Sequence, residues 1–266
     1  MDTIAPKKAL GQHFLVQESV AERIAKSLQR ATECNGRVLE IGPGKGMLTK
    51  YLLAAGFSLT VVETDRDMVA YLAEYYPQLE PKSVIQADFL RLRLEQHYAP
   101  DAPFCIIGNF PYNISSQIVF KMLDYRHLVP ELVGMFQKEM AERVVAKPGG
   151  KDYGVISVLT QAYYSGEYLF SVSRGNFNPP PNVESGVIRL TRRDDYVLPC
   201  NERLFKTIVK TAFGQRRKML RNTLKSLLID ANDEAILHDP IFTERPEQLS
   251  VSDFVRLTVM LDMKRD

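Results

Sequence analysis

The chain has few cysteines, and they follow no recognisable pattern. Cys34, Cys105 and Cys200 are odd in number and far apart, and no Cys-x-x-Cys pair occurs in the 266 residues. The sequence therefore predicts neither a disulfide framework nor a zinc site, and we expect no metal. Isolated thiols of this kind persist in a reducing compartment, which favours the cytoplasm.

Long apolar runs, targeting signals and internal repeats are also missing. No segment approaches the roughly 20 apolar residues that cross a bilayer, and residues 1–8 lack the apolar region of a secretory signal. We therefore expect a cytoplasmic protein with no membrane partner. The length predicts one large domain, or one with a small appendage, and we expect a monomer.

Three glycines form the most informative stretch of the sequence. Gly42, Gly44 and Gly46 follow an apolar run that ends at Leu39 and precede the helical pattern of residues 47–53. A strand, a glycine loop and a helix allow a backbone to approach a nucleotide-like ligand closely. The spacing is neither the Gly-x-Gly-x-x-Gly of dinucleotide folds nor a P-loop. By itself, the loop is also compatible with an ordinary glycine-rich turn.

Acidic residues stand at or near the ends of three predicted strands. Glu40 precedes the first glycine, where it suits an amino group, a hydroxyl or a positive charge rather than a phosphate. Glu63 ends the strand 59–63, about 20 residues after the loop, where an acid accepts ribose hydroxyls. Asp88 ends the strand 83–88 and could accept from adenine N6, or could cap a helix. S-adenosylmethionine (SAM) carries all of these groups and is the predicted cofactor.

The sequence Asn109-Phe110-Pro111-Tyr112 follows a fourth apolar strand, residues 104–108. Ligands bind at such strand ends in open α/β sheets. Adenine N6 is a weak nucleophile because its lone pair is delocalised, so an enzyme that methylates it must fix its N–H bonds. The Asn109 side-chain oxygen and a carbonyl of Phe110 or Pro111 could accept them, held by the restricted proline backbone. Tyr112 offers a stacking face. The alternative is a strand-to-helix turn capped by Asn109.

These motifs together resemble the KsgA family of rRNA adenine dimethyltransferases, over almost the whole chain. The resemblance is carried by the following sets: Lys7 with Gly11-Gln12-His13-Phe14-Leu15; Glu40 with the three glycines; Glu63; Asp88; Asn109 to Tyr112; Phe177 to Ser185; and Phe213 to Asn222. It implies an α/β fold with a Rossmann-like SAM-dependent methyltransferase domain and a small all-helical C-terminal domain. It also implies dimethylation of two adjacent adenosines near the 3′ end of small-subunit (16S) rRNA, within the immature 30S subunit.

The resemblance extends to individual residues. Cofactor contacts are implied for His13 and Leu15, for Glu40 with Gly42, Gly44 and Gly46, and for Glu63, Asp88 and Asn109; catalytic roles are implied for Asn109, Pro111, Tyr112 and Phe177. His13 stands where many relatives carry Asn, although it can still donate a hydrogen bond. Phe177 opens a stiff proline-rich loop that could bring its ring against the target base, or could simply place it in the core.

The C-terminal part is predicted to be helical and basic. A boundary near residues 192–196 separates a catalytic domain, 1–195, from an RNA-binding domain, 196–266. Overall charge is nearly balanced, with 34 Lys and Arg against 32 Asp and Glu, but residues 203–225 contain no acid. A helix face whose charged residues are all basic is typical of phosphate binding, although an ordinary solvent-exposed helix is the alternative. The predicted RNA-binding residues are Arg216, Arg217, Lys218, Arg221 and Lys225, with Arg217, Arg221 and Lys225 on one face of a helix after Gly214.

Two rival functions are compatible with parts of the pattern. One is a resistance-type methyltransferase of large-subunit (23S) rRNA, which shares the catalytic motifs. The stretch Gln215-Arg216-Arg217-Lys218 and the triple proline argue against it. The other is an assembly or transcription factor that kept the fold and lost turnover. The intact acids and Asn109 argue against that reading.

Overall fold

The structure is a computed structural model that describes residues 7, 12–195, 197–227 and 236–262. The chain divides into two compact units: residues 1–141 with 166–192, and residues 142–165 with 193–266. The second unit therefore includes a segment from the middle of the chain. That residues 196–266 act as a separate RNA-binding domain stays a prediction.

Nine strands and nine helices are assigned in the described part of the chain. The strands are β1 (Phe14–Leu15), β2 (Arg37–Ile41), β3 (Ser58–Glu63), β4 (Val84–Gln86), β5 (Cys105–Asn109), β6 (Glu131–Gln137), β7 (Tyr164–Val172), β8 (Phe177–Asn178) and β9 (Ser185–Arg192). The helices are α1 (Glu18–Ala25), α2 (Thr49–Ala54), α3 (Arg66–Tyr75), α4 (Ser115–Asp124), α5 (Lys138–Val145), α6 (Val155–Gln161), α7 (Glu202–Gly214), α8 (Leu220–Thr223) and α9 (Val251–Asp262).

A seven-stranded sheet organises the first unit, in the order β4-β3-β2-β5-β6-β9-β7. The five strands from β4 to β6 are parallel, and β9 runs antiparallel to β6. The predicted α/β fold is confirmed. Because Glu40 pairs with both Val61 and Ile107, β2, β3 and β5 end at one edge of the sheet. This register brings Glu40, Glu63 and Asn109 to that edge.

The central parallel strands are apolar on both faces, as buried parallel strands require. Leu39 of β2, Val61 of β3 and Ile106 of β5 are inaccessible to solvent. In β2 and β3, the acidic residues Glu40 and Glu63 lie next to or at the carboxyl end of the strand. The core thus leaves the carboxyl edge of the sheet as the place where chemistry is possible.

A separate two-stranded ladder fastens the N-terminal segment to the loop before β9. β1 and β8 pair antiparallel, with Leu15 opposite Phe177. The Val16 amide donates to the Asn176 carbonyl at 2.9 Å. The segment that carries His13 is therefore held by backbone hydrogen bonds.

Phe110 occupies space that two glycines leave open. A Cβ at Gly134 of β6 would lie 2.1 Å from the Phe110 ring, and one at Gly108 of β5 would lie 2.7 Å from it. The ring also packs edge-on against Phe136, with centroids 5.1 Å apart. Phe110 is 1% exposed, so its packing fixes the backbone from which Asn109 and Pro111 project.

The second unit corrects two helix predictions. The sequence predicts a helix from Val155 to Tyr164, but α6 ends at Gln161, and Tyr164 begins β7. The continuous helix predicted after Gly214 is wrong: α7 ends at that glycine, a turn follows, and α8 has only four residues. The Leu220 amide donates to the Glu244 carbonyl at 2.9 Å instead of continuing a helix. Leu228 of that predicted helix lies outside the described residues.

The last helix is confirmed with its capping box. The Ser250 amide donates to Asp253 Oδ2 at 2.9 Å, and the Asp253 amide donates to Ser250 Oγ at 3.2 Å. Phe254, Leu257 and Leu261 are buried as predicted. Across the described ranges, no helix is long and apolar enough to cross a membrane.

We predict that Gly134→Ala destabilises the protein by about 1–3 kcal/mol, because the added methyl group overpacks the site of the Phe110 ring. Urea unfolding measures the loss. Gly175→Ala is the control, since nothing lies within 4 Å of its new Cβ. Adding Phe110→Leu to Gly134→Ala should recover part of the loss; equal stability of wild type and Gly134→Ala would contradict the packing argument.

Candidate active site

The glycine loop between β2 and α2 has a left-handed backbone at all three glycines. The φ angles are +66° at Gly42, +54° at Gly44 and +76° at Gly46. A Cβ at Gly46 would lie 2.4 Å from the Tyr76 ring, whose hydroxyl donates to the Gly46 carbonyl at 2.8 Å. Gly46 therefore makes room for a protein side chain and does not line the cavity, whereas Gly42 and Gly44 do.

Glu63 connects the end of β3 to this loop. Its carboxylate accepts from the Gly44 amide at 3.2 Å and from the Asp65 amide at 2.9 Å. The side chain is buried and lines the cavity. Burial raises its pKa, against the lowering effect of the backbone N–H donors. Each oxygen keeps a second lone pair, so the carboxylate can accept from ligand hydroxyls without giving up the loop.

Glu40 is a buried carboxyl group that lines the same cavity. It is 1% exposed and accepts from the Thr49 hydroxyl at 2.7 Å. Burial raises its pKa from the usual 4.5 to about 8, Thr49 opposes this shift, and the nearby Glu63 adds to it. The group is therefore mostly neutral at pH 7 in the free protein. A cationic group placed beside it would favour the carboxylate form.

Asp88 lies at the far side of the cavity, two residues beyond β4. Its Oδ1 accepts from the Leu90 amide at 2.9 Å, so the side chain begins a turn, which matches part of the capping alternative. The other oxygen lies 3.6 Å from Arg91. The side chain is 43% exposed and can still accept from a ligand in the cavity.

The Asn109 side chain is oriented by a single backbone group. Its Nδ2 donates to the His13 carbonyl at 3.1 Å. Among the residues that the structure describes, none donates to Asn109 Oδ1. Because its nitrogen is engaged, the amide presents its oxygen as an acceptor. The next amide, of Phe110, donates to the Met135 carbonyl at 3.2 Å, so the loop stays in register with β6.

The rings of Tyr112 and His13, which both line the cavity, are stacked on each other. Their ring centroids lie 5.5 Å apart with an angle of 27° between the planes. The Tyr112 hydroxyl and Ser185 Oγ are hydrogen-bonded at 2.7 Å. His13 Nδ1 lies 2.9 Å from the Pro179 carbonyl; a carbonyl can only accept, so Nδ1 carries the hydrogen. His13 thus connects the N-terminal segment to the loop of residues 109–112, here called the catalytic loop, and to the proline-rich loop that contains Pro179.

The N-terminal segment is also anchored by an ion pair that the sequence did not reveal. Lys7 contacts Asp65 at 2.6 Å and Asp67 at 2.7 Å, and Gln12 Nε2 donates to Asp65 at 3.1 Å. Asp65 also caps α3 through the Asp67 amide. Its position two residues after Glu63 at a helix start was visible in the sequence, but its partner 58 residues away was not. Gly11 lies outside the described residues.

Phe177 and Leu15 lie in the hydrophobic core. Phe177 is 4% exposed and Leu15 is 5% exposed, and both belong to the cluster beneath the β1–β8 ladder. Leu15 also lines the cavity, whereas Phe177 does not. The placement of Phe177 against a target base is therefore corrected: its ring supports the ladder that carries His13.

The basic residues of the second unit differ in their surroundings. Arg216 donates to Glu247 at 2.7 Å, to the Gly150 carbonyl at 2.8 Å and to the Lys151 carbonyl. Its guanidinium therefore fastens the loop 147–154 within this unit. The other four predicted RNA-binding residues are exposed, and they are Arg217, Lys218, Arg221 and Lys225. They lie on a turn and two short helical segments rather than one helix.

Comparisons with known proteins agree on one family. The profile of the family described as ribosomal RNA adenine dimethylase matches residues 5–262. The chain is 53% identical to "Ribosomal RNA small subunit methyltransferase A" of Flavobacterium johnsoniae, over 98% of each protein. It is 54% identical to the Parabacteroides distasonis protein of that name, over 98% of this chain and 95% of the relative.

Two solved structures resemble the fold. A dimethyladenosine transferase from Plasmodium falciparum has a TM-score of 0.77 and 25% identity, covering 95% of this chain and 98% of its own. The 23S rRNA methyltransferase ErmE has a TM-score of 0.62 and 27% identity, covering 94% and 99%. Both similarities span nearly the whole chain.

We predict that Glu40 makes the free protein less stable as pH rises from about 4.5 to about 8. In that window the unfolded chain releases the Glu40 proton and the folded chain keeps it, so deprotonation favours unfolding. Glu40→Gln should therefore lose less stability than wild type between pH 5 and pH 8, as measured by urea unfolding without ligand. Glu95→Gln is the control, because that carboxylate is exposed and its pKa is lowered. Parallel curves for wild type and Glu40→Gln would contradict the raised pKa.

Proposed function

The chain belongs to the ribosomal RNA adenine dimethylase family, and we propose that it methylates two adjacent adenosines near the 3′ end of small-subunit rRNA. The product would be N6,N6-dimethyladenosine, with SAM as methyl donor. The family match and the names of the bacterial relatives support the substrate. The observation that carries the chemistry is Asn109, whose amide nitrogen is engaged by the His13 carbonyl so that its oxygen is free to accept.

The cavity residues fit SAM. Glu40 is a buried carboxyl group suited to the methionine amino group. Glu63 keeps lone pairs for ribose hydroxyls, and Asp88 lies where an exocyclic amine can donate to it. A Cβ at Gly44 would lie 3.1 Å from the Phe14 ring, so the glycine leaves room for this ring, and both residues line the cavity. When bound, SAM supplies an electrophilic methyl group.

The protein contributes orientation to the reaction. Asn109 Oδ1 accepts one N6–H of the target adenine, and a backbone carbonyl of Phe110 or Pro111 accepts the other. Both acceptors favour a more tetrahedral nitrogen, whose lone pair is then available for attack. Holding two reactants in alignment can lower a barrier by roughly 7–11 kcal/mol. The Phe110 ring, seated over Gly108 and Gly134, keeps these acceptors in place.

Tyr112 supplies a surface for the extruded base. Its hydroxyl is bonded to the buried Ser185, and one side of its ring is stacked with His13. Stacking of a base on an aromatic side chain is worth roughly 1–3 kcal/mol. A ring fixed at both its tip and one face loses little further freedom when a base arrives.

The biological partner would be the immature 30S subunit, with the protein acting as a monomer in the cytoplasm. Exposed cations among residues 216–225 would contact rRNA phosphates. Arg216 stands apart from them, because its guanidinium already has three acceptors within the protein. We assign it to support of the RNA-binding surface rather than to direct contact.

Mapping of methylated adenosines in rRNA tests the proposal. Small and large ribosomal subunits from a strain in which the gene is deleted are treated separately with purified protein and SAM, and modified adenosines are located by mass spectrometry. Dimethylation of two adjacent adenosines near the 3′ end of small-subunit rRNA is the expected result. Modification of large-subunit rRNA would support the resistance-type rival, and absence of modification the non-catalytic one.

We predict that Asn109→Ala leaves SAM affinity and most rRNA affinity intact but slows methyl transfer by roughly 100- to 1000-fold. Losses of this size follow removal of one preorganised electrostatic contact. Single-turnover methylation with SAM and rRNA both bound measures the rate. Asn182→Ala, at an exposed position in the same unit, is the control. A wild-type rate in Asn109→Ala would contradict the catalytic role of Asn109 and favour the alternative, in which this residue caps the strand-to-helix turn.

A second prediction concerns the basic surface. Reversal of Arg217 and Arg221 to Glu should weaken rRNA binding and flatten its dependence on salt, by roughly 0.7–0.9 in log–log slope for each lost phosphate contact. SAM affinity should not change. Binding titrations between 50 and 200 mM salt, on the scale over which such contacts are screened, measure the slope. Reversal of Lys26 and Lys82, which are 74% and 84% exposed, changes net charge equally; the same slope in both variants would contradict the assigned surface.

A further inference from the structure

Lys121 of α4 directs its ammonium group at the loop that follows β4. Its Nζ donates to the Phe89 carbonyl at 2.6 Å, to the Leu90 carbonyl at 3.1 Å and to the Leu92 carbonyl. The Phe89 ring centroid lies 4.9 Å away. An ammonium group has three donors, and here three carbonyls of one loop accept from it.

The same loop carries Asp88. The Asp88 side chain accepts from the Leu90 amide at 2.9 Å, and its carbonyl accepts from the Arg91 and Leu92 amides at 3.0 Å each. The Leu92 amide also donates to the Phe89 carbonyl at 3.2 Å, and these bonds form a tight turn whose Phe89, Leu90 and Leu92 carbonyls all face Lys121 Nζ. Converging carbonyl dipoles repel one another unless a cation or several donors lie between them. Lys121 supplies that cation, so it determines whether this turn is stable.

α4 connects the turn to the catalytic loop. The helix begins at Ser115, directly after the Tyr112–Ile114 turn, and Ser115 Oγ donates to the Tyr112 carbonyl at 3.1 Å. Lys121 therefore links the element that follows Asn109 and Tyr112 to the element that carries Asp88. In the described chain, no other side chain donates to the carbonyls of Phe89, Leu90 and Leu92.

We propose that Lys121 is a positioning residue that holds Asp88 where it recognises the exocyclic amine of the cofactor's adenine. The inference rests on the proposed function, because it concerns the same cavity and the same cofactor. Lys121 touches neither cofactor nor substrate in this role. It acts through the Asp88 turn, and its loss should affect recognition of the base more than binding of the rest of the cofactor.

The test compares two ligands that differ at that amine and, as a consequence, at the adjacent ring nitrogen N1, which carries a hydrogen only in the oxygen-bearing ligand. S-adenosylhomocysteine carries the 6-amino group, and S-inosylhomocysteine carries an oxygen in its place. Calorimetry measures the affinity of each for wild type, Lys121→Met and Asp88→Asn. Wild type should prefer the adenosyl ligand by about 10-fold or more, the size expected for a hydrogen bond to a charged group.

Lys121→Met should reduce this preference to under about threefold while changing affinity for the inosyl ligand little. Asp88→Asn should reduce it similarly, because the amide replaces the carboxylate acceptor. Lys82→Met is the matched control, since Lys82 is 84% exposed and pairs with Glu80 rather than with the turn. It should keep the wild-type preference.

Three results would overturn the proposal: an unchanged preference in folded Lys121→Met, an unchanged preference in Asp88→Asn, or loss of preference in Lys82→Met. Failure of wild type to bind either ligand would instead overturn the proposed function. If Lys121→Met does not fold, Lys121→Gln replaces it in the test, because the shorter neutral Gln side chain cannot donate hydrogen bonds to all three carbonyls. Its preference should fall at least threefold, and an unchanged value in folded protein would count equally against the proposal.

Discussion

The hydrogen bond from Asn109 Nδ2 to the His13 carbonyl is the interaction on which the candidate site depends. Rotation of a side-chain amide exchanges the positions of its oxygen and nitrogen. A fixed hydrogen-bond partner for the nitrogen therefore also fixes the position of the oxygen. The partner here is a backbone atom, held by the β1–β8 ladder and by the His13 ring bond to Pro179. The acceptor that would orient a target amine therefore relies on a segment 96 residues away in sequence.

Glu40, Glu63 and Asp88 place three carboxyl groups on the lining of one cavity. Burial raises the pKa of both Glu40 and Glu63, and the nearby Glu63 raises the pKa of Glu40 further. Asp65 behaves differently. Burial raises its pKa, but the hydrogen bonds from Lys7 and Gln12 lower the pKa by more than burial raises it, so the net shift is downward. Lys7 stabilises the protein itself through Asp65, whereas Glu40, which keeps its proton at pH 7 in the free protein, would ionise beside a ligand that brings its own positive charge.

Much of this arrangement could be predicted from the sequence, because parallel strands of similar length end at one edge. Apolar runs located β2, β3 and β5, and the last residues of β3 and β5, Glu63 and Asn109, lie at that edge as predicted. Contacts that join distant segments could not be predicted. Lys7 carried no sign that its partner would be Asp65, and Phe177 was equally compatible with a base-stacking and a core position. The helix predicted after Gly214 failed because a backbone bond from Leu220 to Glu244 competes with helical pairing.

The packing of the Phe110 ring against Gly108 and Gly134 implies that the residues at these three positions can change only together. A phenyl group at position 110 is possible only while both neighbouring strands lack a Cβ there, since that atom would approach the ring to 2.7 Å or less. A smaller residue at position 110 removes the nearest obstacle to Ala at position 134, and the Phe136 ring, 2.9 Å from the added Cβ, is the next. Chimeras that exchange the catalytic loop must therefore exchange the β6 position with it, although the two lie far apart in sequence.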